Sequence, residues 1–233
     1  MDNLGEMTAR SDLLQKVPLL AALTPADRES LAAAVTRRRY RRAETIFQKD
    51  EPGHSVYIVE RGSVRIYVPS PQGNDLVLAV LGAGDFFGDL SLLDGRPRSA
   101  SAAATSDTTL LALERIDFIA LITSRPEAAM AVLEAVSRRL RETDEMAADL
   151  AFLDVPGRLA KKLLDLAASN GVQKSSGVLI DLAVTQEELA NMIGVTRESV
   201  NRNLSDFKKM GLVTNQGRKI IVKDAARLRQ RVQ

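Results

Sequence analysis

The sequence predicts an α+β fold, with a strand-rich first half, a long central helix, and two short helices and a hairpin at the end. Three observations predict it. Apolar residues alternate with polar ones between Val56 and Val80, the repeat of a half-buried strand. Between Pro126 and Leu153 the apolar steps lengthen to three and four residues, the repeat of a helix. Between Thr185 and Gly211 two capped helical stretches meet at Gly194.

The bulk numbers set the frame. A chain of 233 residues holds one large domain or two ordinary ones. Its 45% hydrophobic and 27% charged content is that of a globular protein. No run of about 18 apolar residues exists to span a bilayer. The N-terminus lacks a basic segment leading into an apolar one, so the expected location is the cytoplasm. The absence of cysteine excludes disulfides, thiolate zinc sites and cysteine-held iron–sulfur clusters. The single histidine, His54, sits between Gly53 and Ser55 and reads as a solvated turn residue. No metal is expected, and no nucleophile–base pair points to catalysis.

The net charge of +2 is unevenly spread. Residues 155–233 hold 14 Lys and Arg against 7 Asp and Glu, a net of +7, which leaves −5 for residues 1–154. A basic end on an acidic partner segment suits a bound polyanion, although scattered solvating charge gives the same totals.

Taken in order, residues 11–36 read as helical through Leu13, Leu14, Val17, the Thr24 cap with Pro25 behind it, Leu31 and Val35. From Tyr40 the period becomes two. Val56, Ile58, Val64, Ile66 and Val68 flank Gly62, and Leu76, Leu78 and Val80 follow the Pro71–Asn74 turn. Leu110, Leu111 and Leu113 supply the last strand of an antiparallel sandwich or barrel. In the long helix, Leu133, Val136, Leu140, Thr143, Ala147 and Leu150 make a short heptad seam. An amphipathic helix packed on its own domain is the alternative, but Thr143 in the seam favours a partner that satisfies its hydroxyl. Asp154-Val-Pro156 breaks the period as a hinge would. Leu159, Leu163, Leu164 and Leu166 mark another amphipathic helix ending near Gly171, and 178–182 reads as a strand.

Thr185-Gln-Glu-Glu188 is a capping box, in which the Thr185 hydroxyl caps Glu188 N–H while Glu188 reaches back. The helix carries Leu189, Met192 and Ile193 and stops at Gly194. Thr196 caps a second helix with Val200, Leu204 and Phe207 inward, stopped by Gly211. A basic hairpin with Arg218 and Lys219 at its tip completes a winged helix-turn-helix. The outward residues Arg197, Glu198, Asn201 and Arg202 suit base edges: arginine pairs bidentately with guanine, and glutamate accepts from cytosine. Thr196 and Ser199 suit phosphate contacts at the helix N-terminus, and Thr185 is expected on the same DNA-binding surface.

A glycine-rich run, Gly82-Ala-Gly-Asp-Phe-Phe-Gly-Asp-Leu90, precedes Arg96-Pro-Arg-Ser-Ala100. Glycine alone is weak evidence, since turns need it anyway. A turn exposing backbone N–H groups, followed by Arg-Ser, can together hold one phosphate.

These stretches resemble the CRP/FNR family. Residues 150–167 are similar to its hinge and following helix, residues 184–204 to its helix-turn-helix, and residues 82–90 with 96–100 to the phosphate-binding cassette of cyclic-nucleotide domains. The resemblance implies an N-terminal cyclic-nucleotide-binding β-roll (jelly-roll-like) over 1–125, a dimerisation helix and hinge over 126–154, and a winged helix-turn-helix DNA-binding domain over 155–233. It implies that Arg98, Ser99 and the backbone of Ala100 take the cyclic phosphate. Gly88 and Asp89, followed by Leu90 in the cassette, take the ribose hydroxyl, with Arg139 steadying the carboxylate. Thr143 and Asp144 face the base, and Arg197, Glu198 and Arg202 read a TGTGA-like half-site.

Four departures matter. Asp89 stands where the family has glutamate, one methylene shorter. Asn201 and the pair Gln186-Glu187 also differ from the family pattern. Asp144 stands where cAMP receptors typically carry serine. A carboxylate accepts guanine N1–H and N2–H together, which makes cGMP a competitor to cAMP. The expected partners are double-stranded DNA, a cyclic nucleotide, a second copy of the chain and RNA polymerase, with no membrane and no cofactor beyond the effector. The alternative within this fold is a regulator that is ligand-independent or senses a cyclic dinucleotide.

Overall fold

The computed structural model describes residues 24–70, 75–181, 184–217 and 219–232. The expected contacts of Leu13, Leu14 and Val17, the Pro71–Asn74 turn, Leu182 and the wing residue Arg218 lie outside them.

The first described helix, α1 (Pro25–Ala34), places Leu31 and Ala32 in the core, and Val35 N donates to Leu31 O at 3.0 Å to close its last turn. The chain becomes strand β1 (Thr36–Tyr40) immediately afterwards. The helical reading of 11–36 therefore ran too far. Three consecutive arginines hide the alternation, and pairing with β8 (Thr108–Glu114), Thr36 opposite Ala112 through Tyr40 opposite Thr108, decides the conformation.

Between those strands run β2 (Thr45–Phe47), β3 (Ser55–Arg61), β4 (Val64–Val68), β5 (Leu76–Leu81), β6 (Phe86–Phe87), a short helix α2 (Leu90–Asp94) and β7 (Ser101–Ala104). They form two antiparallel sheets, ordered β1-β8-β3-β6 and β2-β7-β4-β5. Val56 to Val59 are all buried, so the half-buried alternation expected there is incomplete, and Leu110 to Leu113 are buried as well. Each of the two strands faces two cores. Tyr57, Val59, Leu110 and Ala112 pack with Phe47, Val64, Phe87 and Ala102 between the sheets. Val56, Ile58, Leu111 and Leu113 pack on the other side with α1, α3 (Arg115–Ser124) and α4 (Pro126–Phe152). A strand buried on both faces reads as a nearly continuous apolar run.

Helix α4 packs Ala128, Val132 and Ala135 into that second core, with Val136 half-buried beside them. Val136 thus serves its own domain, although the heptad placed it in the seam. Leu133 and Leu140 stay exposed, at 57% and 60%, as does Phe152.

Asp154 caps α5 (Val155–Asn170) by accepting from Gly157 N at 2.8 Å, with Pro156 in the first turn, where its missing N–H leaves no hydrogen bond unmade. Then come β9 (Gly171–Lys174), β10 (Gly177–Ile180), α6 (Gln186–Ile193), α7 (Arg197–Lys209), β11 (Val213–Gln216), β12 (Lys219–Val222) and α8 (Ala225–Arg229). Their sheet is ordered β11-β12-β10-β9. Leu159, Leu163, Leu189, Val200, Leu204, Phe207, Leu212 and Leu228 share its core with the helices. The described residues divide into two compact units, one within Met1–Val68 and Leu78–Arg141, the other within Pro69–Val77 and Glu142–Gln233. No described helix is long and apolar enough to cross a membrane.

Candidate effector site and nucleic-acid interface

In the first unit, the chain leaves β6 through Gly88, whose φ of +81° is costly for any residue with a Cβ. A Cβ there would also lie 2.6 Å from Arg98 Nη1, so glycine is needed twice over. Asp89 precedes α2, Gly95 ends it in the left-handed region, and Arg96-Pro97 leads to Arg98. The backbone of Arg98 is held by the β2–β3 turn: its N–H donates to Glu51 O at 2.8 Å, and its carbonyl accepts from Asp50 N at 2.9 Å.

The Arg98 side chain turns inward and is 4% exposed. Nη1 donates to Gly88 O at 2.6 Å and to Ser91 Oγ at 2.8 Å, and Nη2 donates to Ser55 O at 2.7 Å. The guanidinium lies 4.2 Å from the Phe47 ring centroid. Burial lowers its pKa, opposed chiefly by Tyr57, Asp89 and Glu51. A guanidinium carries five N–H donors. Nη1 has used both of its hydrogens and Nη2 one, while Nε is buried without a partner.

Asp89 is the acidic counterpart, 1% exposed. Its Oδ1 accepts from Arg139 Nη1 at 2.8 Å, Arg139 Nη2 donates to Phe86 O, and Asp89 Oδ2 is buried without a partner. One strand-turn-helix therefore holds a desolvated cation with donors to spare and a desolvated anion with an acceptor to spare. A buried polar atom with no partner carries a free-energy cost of about 1–3 kcal/mol, which a suitable ligand would relieve. The fitting ligand presents an anionic oxygen to the guanidinium and a hydroxyl to the carboxylate.

Of the other expected effector residues, Ala100 is buried, Gly88 half-buried, and Leu90 and Ser99 exposed. Thr143 and Asp144 follow Arg139 by about one turn of α4, are exposed, and fall in the second unit. Phe47, Ser55 and Ser91, which surround Arg98, belong to none of the sequence-predicted site residues. Ser91, two residues after Asp89 and seven before Arg98, was the one with a usable signal.

In the second unit, Thr185 and Glu188 form the expected capping box. The Thr185 hydroxyl accepts from Glu188 N at 3.1 Å and donates its one hydrogen to Glu188 Oε2 at 2.9 Å, so in this arrangement it has no hydrogen to give a phosphate. Thr196 Oγ1 accepts from Ser199 N at 3.3 Å to cap α7. Arg197, Glu198, Asn201 and Arg202 are exposed, Ser199 is half-buried, and Val200, Leu204 and Phe207 face the core. The wing differs from expectation. Its strands extend to Gln216 and Lys219, which pair with each other, so Lys219 lies in β12, and its ammonium is ion-paired with Asp181.

A β-roll domain with an anion-seeking buried arginine, joined in sequence to a winged helix-turn-helix, defines a ligand-binding DNA-binding protein. Comparisons with known proteins carry this further. Residues 37–125 match the cyclic nucleotide-binding domain and residues 157–231 the Crp-like helix-turn-helix domain. The chain is 34% identical to the CRP-like cAMP-activated global transcriptional regulator of Mycobacterium tuberculosis over 94% of this chain and 98% of that one. It is 36% identical to the cyclic AMP receptor protein of Thermus thermophilus over 91% and 95%. Among solved structures, the c-di-GMP responsive global regulator CLP of Xanthomonas campestris is similar, with a TM-score of 0.77 and 27% identity over 86% of this chain and 100% of that one. The chain belongs to the CRP/FNR family. It is a cyclic-nucleotide-binding, DNA-binding transcription regulator, in a family whose members are not enzymes.

Proposed function

We propose that this chain works in the cytoplasm as a homodimer that binds palindromic TGTGA-like DNA when cAMP is bound, and so controls access of RNA polymerase. The observation that carries the effector reading is the pair of unpartnered buried atoms, Arg98 Nε and Asp89 Oδ2. A cyclic nucleotide brings an anionic phosphate oxygen and a neighbouring ribose 2′-hydroxyl, which match a spare donor and a spare acceptor. In this reading Arg98, Ser99 and the Ala100 amide take the phosphate. Gly88, Asp89 and Leu90 form the ribose side, Arg139 steadies Asp89, and Thr143 and Asp144 meet the base. The similarity to two regulators named for cAMP favours adenine.

Residues 126–154 are the dimerisation segment, because Leu133 and Leu140 keep large apolar surfaces exposed at heptad spacing. Two recognition helices then stand about 34 Å apart, one turn of DNA. Arg197, Glu198 and Arg202 read bases, Asn201 lies beside them, and Thr196, Ser199, Arg218 and Lys219 lie along the backbone, while Thr185 serves the interface by capping α6. Effector contacts made in only one arrangement of the dimer shift the equilibrium toward it.

Calorimetric titration with cAMP, combined with a mobility shift on a TGTGA palindrome, tests the reading. The wild type should bind DNA in a cAMP-dependent way, and Arg98→Ala should fold yet lose that dependence. Unchanged binding by Arg98→Ala would falsify the effector assignment. Asp144 supports a second reading, a guanine-bearing effector, since a carboxylate accepts two adjacent guanine donors. The Xanthomonas neighbour is named for c-di-GMP. Titrating cGMP and c-di-GMP beside cAMP separates these, and weaker binding of both removes the guanine reading.

A further inference from the structure

The Arg98 guanidinium is held on three sides by its own unit, and one of those contacts comes from a side chain with no role so far. Ser91 is 5% exposed and faces inward from the first turn of α2. Its Oγ accepts from Arg98 Nη1 at 2.8 Å and donates to Gly88 O at 3.3 Å, the same carbonyl that accepts from Nη1 at 2.6 Å. Hydroxyl, carbonyl and guanidinium thus close a ring of three hydrogen bonds. Gly53 covers the ring from the β2–β3 turn: a Cβ there would fall 2.1 Å from Ser91 Oγ and 3.0 Å from Arg98 Cζ. Both hydrogens of Nη1 are spent inside this ring, and the Nη2 contact with Ser55 O fixes the plane. A planar fork held at those points can offer only Nε and the remaining Nη2 hydrogen.

We propose that Ser91, under the cover of Gly53, is the positioning residue of the effector site: it orients the Arg98 guanidinium so that its Nε side meets the phosphate. This rests on the reading of Arg98 as the phosphate-binding residue. Without the hydroxyl, Nη1 loses one of two acceptors in a dry environment, and the fork tilts to recover one.

The test compares cAMP affinity by calorimetry for the wild type, Ser91→Ala, Gly53→Ala and Arg98→Ala, with the ¹⁵Nε–¹H NMR signal of Arg98 as a second readout. Losing a hydrogen bond to a charged group predicts about tenfold weaker cAMP binding by Ser91→Ala. The Arg98 Nε proton of that variant should exchange faster with water before cAMP is added, which a merely structural serine would not cause. Gly53→Ala crowds the same hydroxyl at a residue whose φ lies outside the left-handed region, and should show the same two effects even if Ser91→Ala fails to fold. Wild-type affinity and an unaltered Nε signal in either folded variant, with binding lost in Arg98→Ala, overturns the role of Ser91 while the effector reading stands. Wild-type affinity in Arg98→Ala overturns the effector reading itself.

Discussion

Asp89 Oδ1 and Arg139 Nη1 lie 2.8 Å apart although fifty residues separate them in the chain. The carboxylate is 1% exposed and its partner's side chain 28%. The pair joins the turn after β6 to the long helix α4, and Arg139 Nη2 strengthens the joint by donating to Phe86 O. The carboxylate is thus fixed by the helix that also carries the exposed Leu140.

Breaking this pair from either side should cost different amounts. Arg139→Ala strands a buried carboxylate, a loss of about 2–4 kcal/mol after allowance for the partial exposure of the arginine. Asp89→Asn removes the charge along with the pairing and should cost less. Urea unfolding of the two variants measures the difference, and equal losses would show that the carboxylate is not paying a desolvation cost.

The elements legible in the sequence were those specified by near neighbours. Thr185 and Glu188 are three residues apart, and their capping box needs nothing else from the fold. The helix break near Asp154 is equally local. Strand β7, Ser101–Ala104, is fully buried but made of small residues with little strand preference, and only its pairing with β2 and β4 defines it. Strand β1 was hidden by Arg37, Arg38 and Arg39 for the same reason. At the effector site, the cassette motif pointed to Arg98 and Asp89. Their contacts with Ser55, Ser91 and Arg139 depend on how the strands and α4 come together, and spacing carries no trace of that. The Lys219–Asp181 pair joins residues 38 positions apart, a contact that only the folded sheet brings about.

The Asp154 cap should be separable from the charge it carries. Its carboxylate accepts from Gly157 N at 2.8 Å at the start of α5. Asp154→Ala should destabilise the C-terminal unit by about 1 kcal/mol, whereas Asp154→Asn or Asp154→Ser should restore most of that. Thermal unfolding followed by helical circular dichroism reads this, and a loss in Asp154→Asn as large as in Asp154→Ala would point to helix-dipole charge instead of the cap.

Lys219 holds the Asp181 carboxyl below its ordinary range, first through their hydrogen bond and then through its charge. A carboxyl whose folded pKa is depressed adds stability above its unfolded pKa and loses it as pH falls through the folded value. The loss should therefore fall below the unfolded carboxylate value of about 3.9. Carbon-detected NMR titration of Asp181 in Lys219→Met should show its pKa moving up toward the ordinary value. An unmoved titration curve would mean that the ion pair is not maintained in solution.

Base reading and backbone contact leave different signatures on DNA. Arg197 is exposed on the first turn of α7, whereas Lys219 sits at the wing turn. A bidentate arginine–guanine pair contributes about 1–3 kcal/mol of discrimination, so Arg197→Ala should bind the TGTGA palindrome more weakly by that amount. The same variant should lose its preference at one base position, binding the substituted site nearly as well as the original. Lys219→Ala should instead weaken binding to both sites alike and lower the slope of log affinity against log salt by at most about two, one for each subunit of the dimer. Because Asp181 already neutralises Lys219, Asp181→Asn should act in the opposite sense and steepen that slope. Fluorescence anisotropy over a salt series with the two DNA sequences distinguishes these outcomes. If Arg197→Ala weakens both sequences equally, Arg197 contacts phosphate and the base must be read from elsewhere on α7.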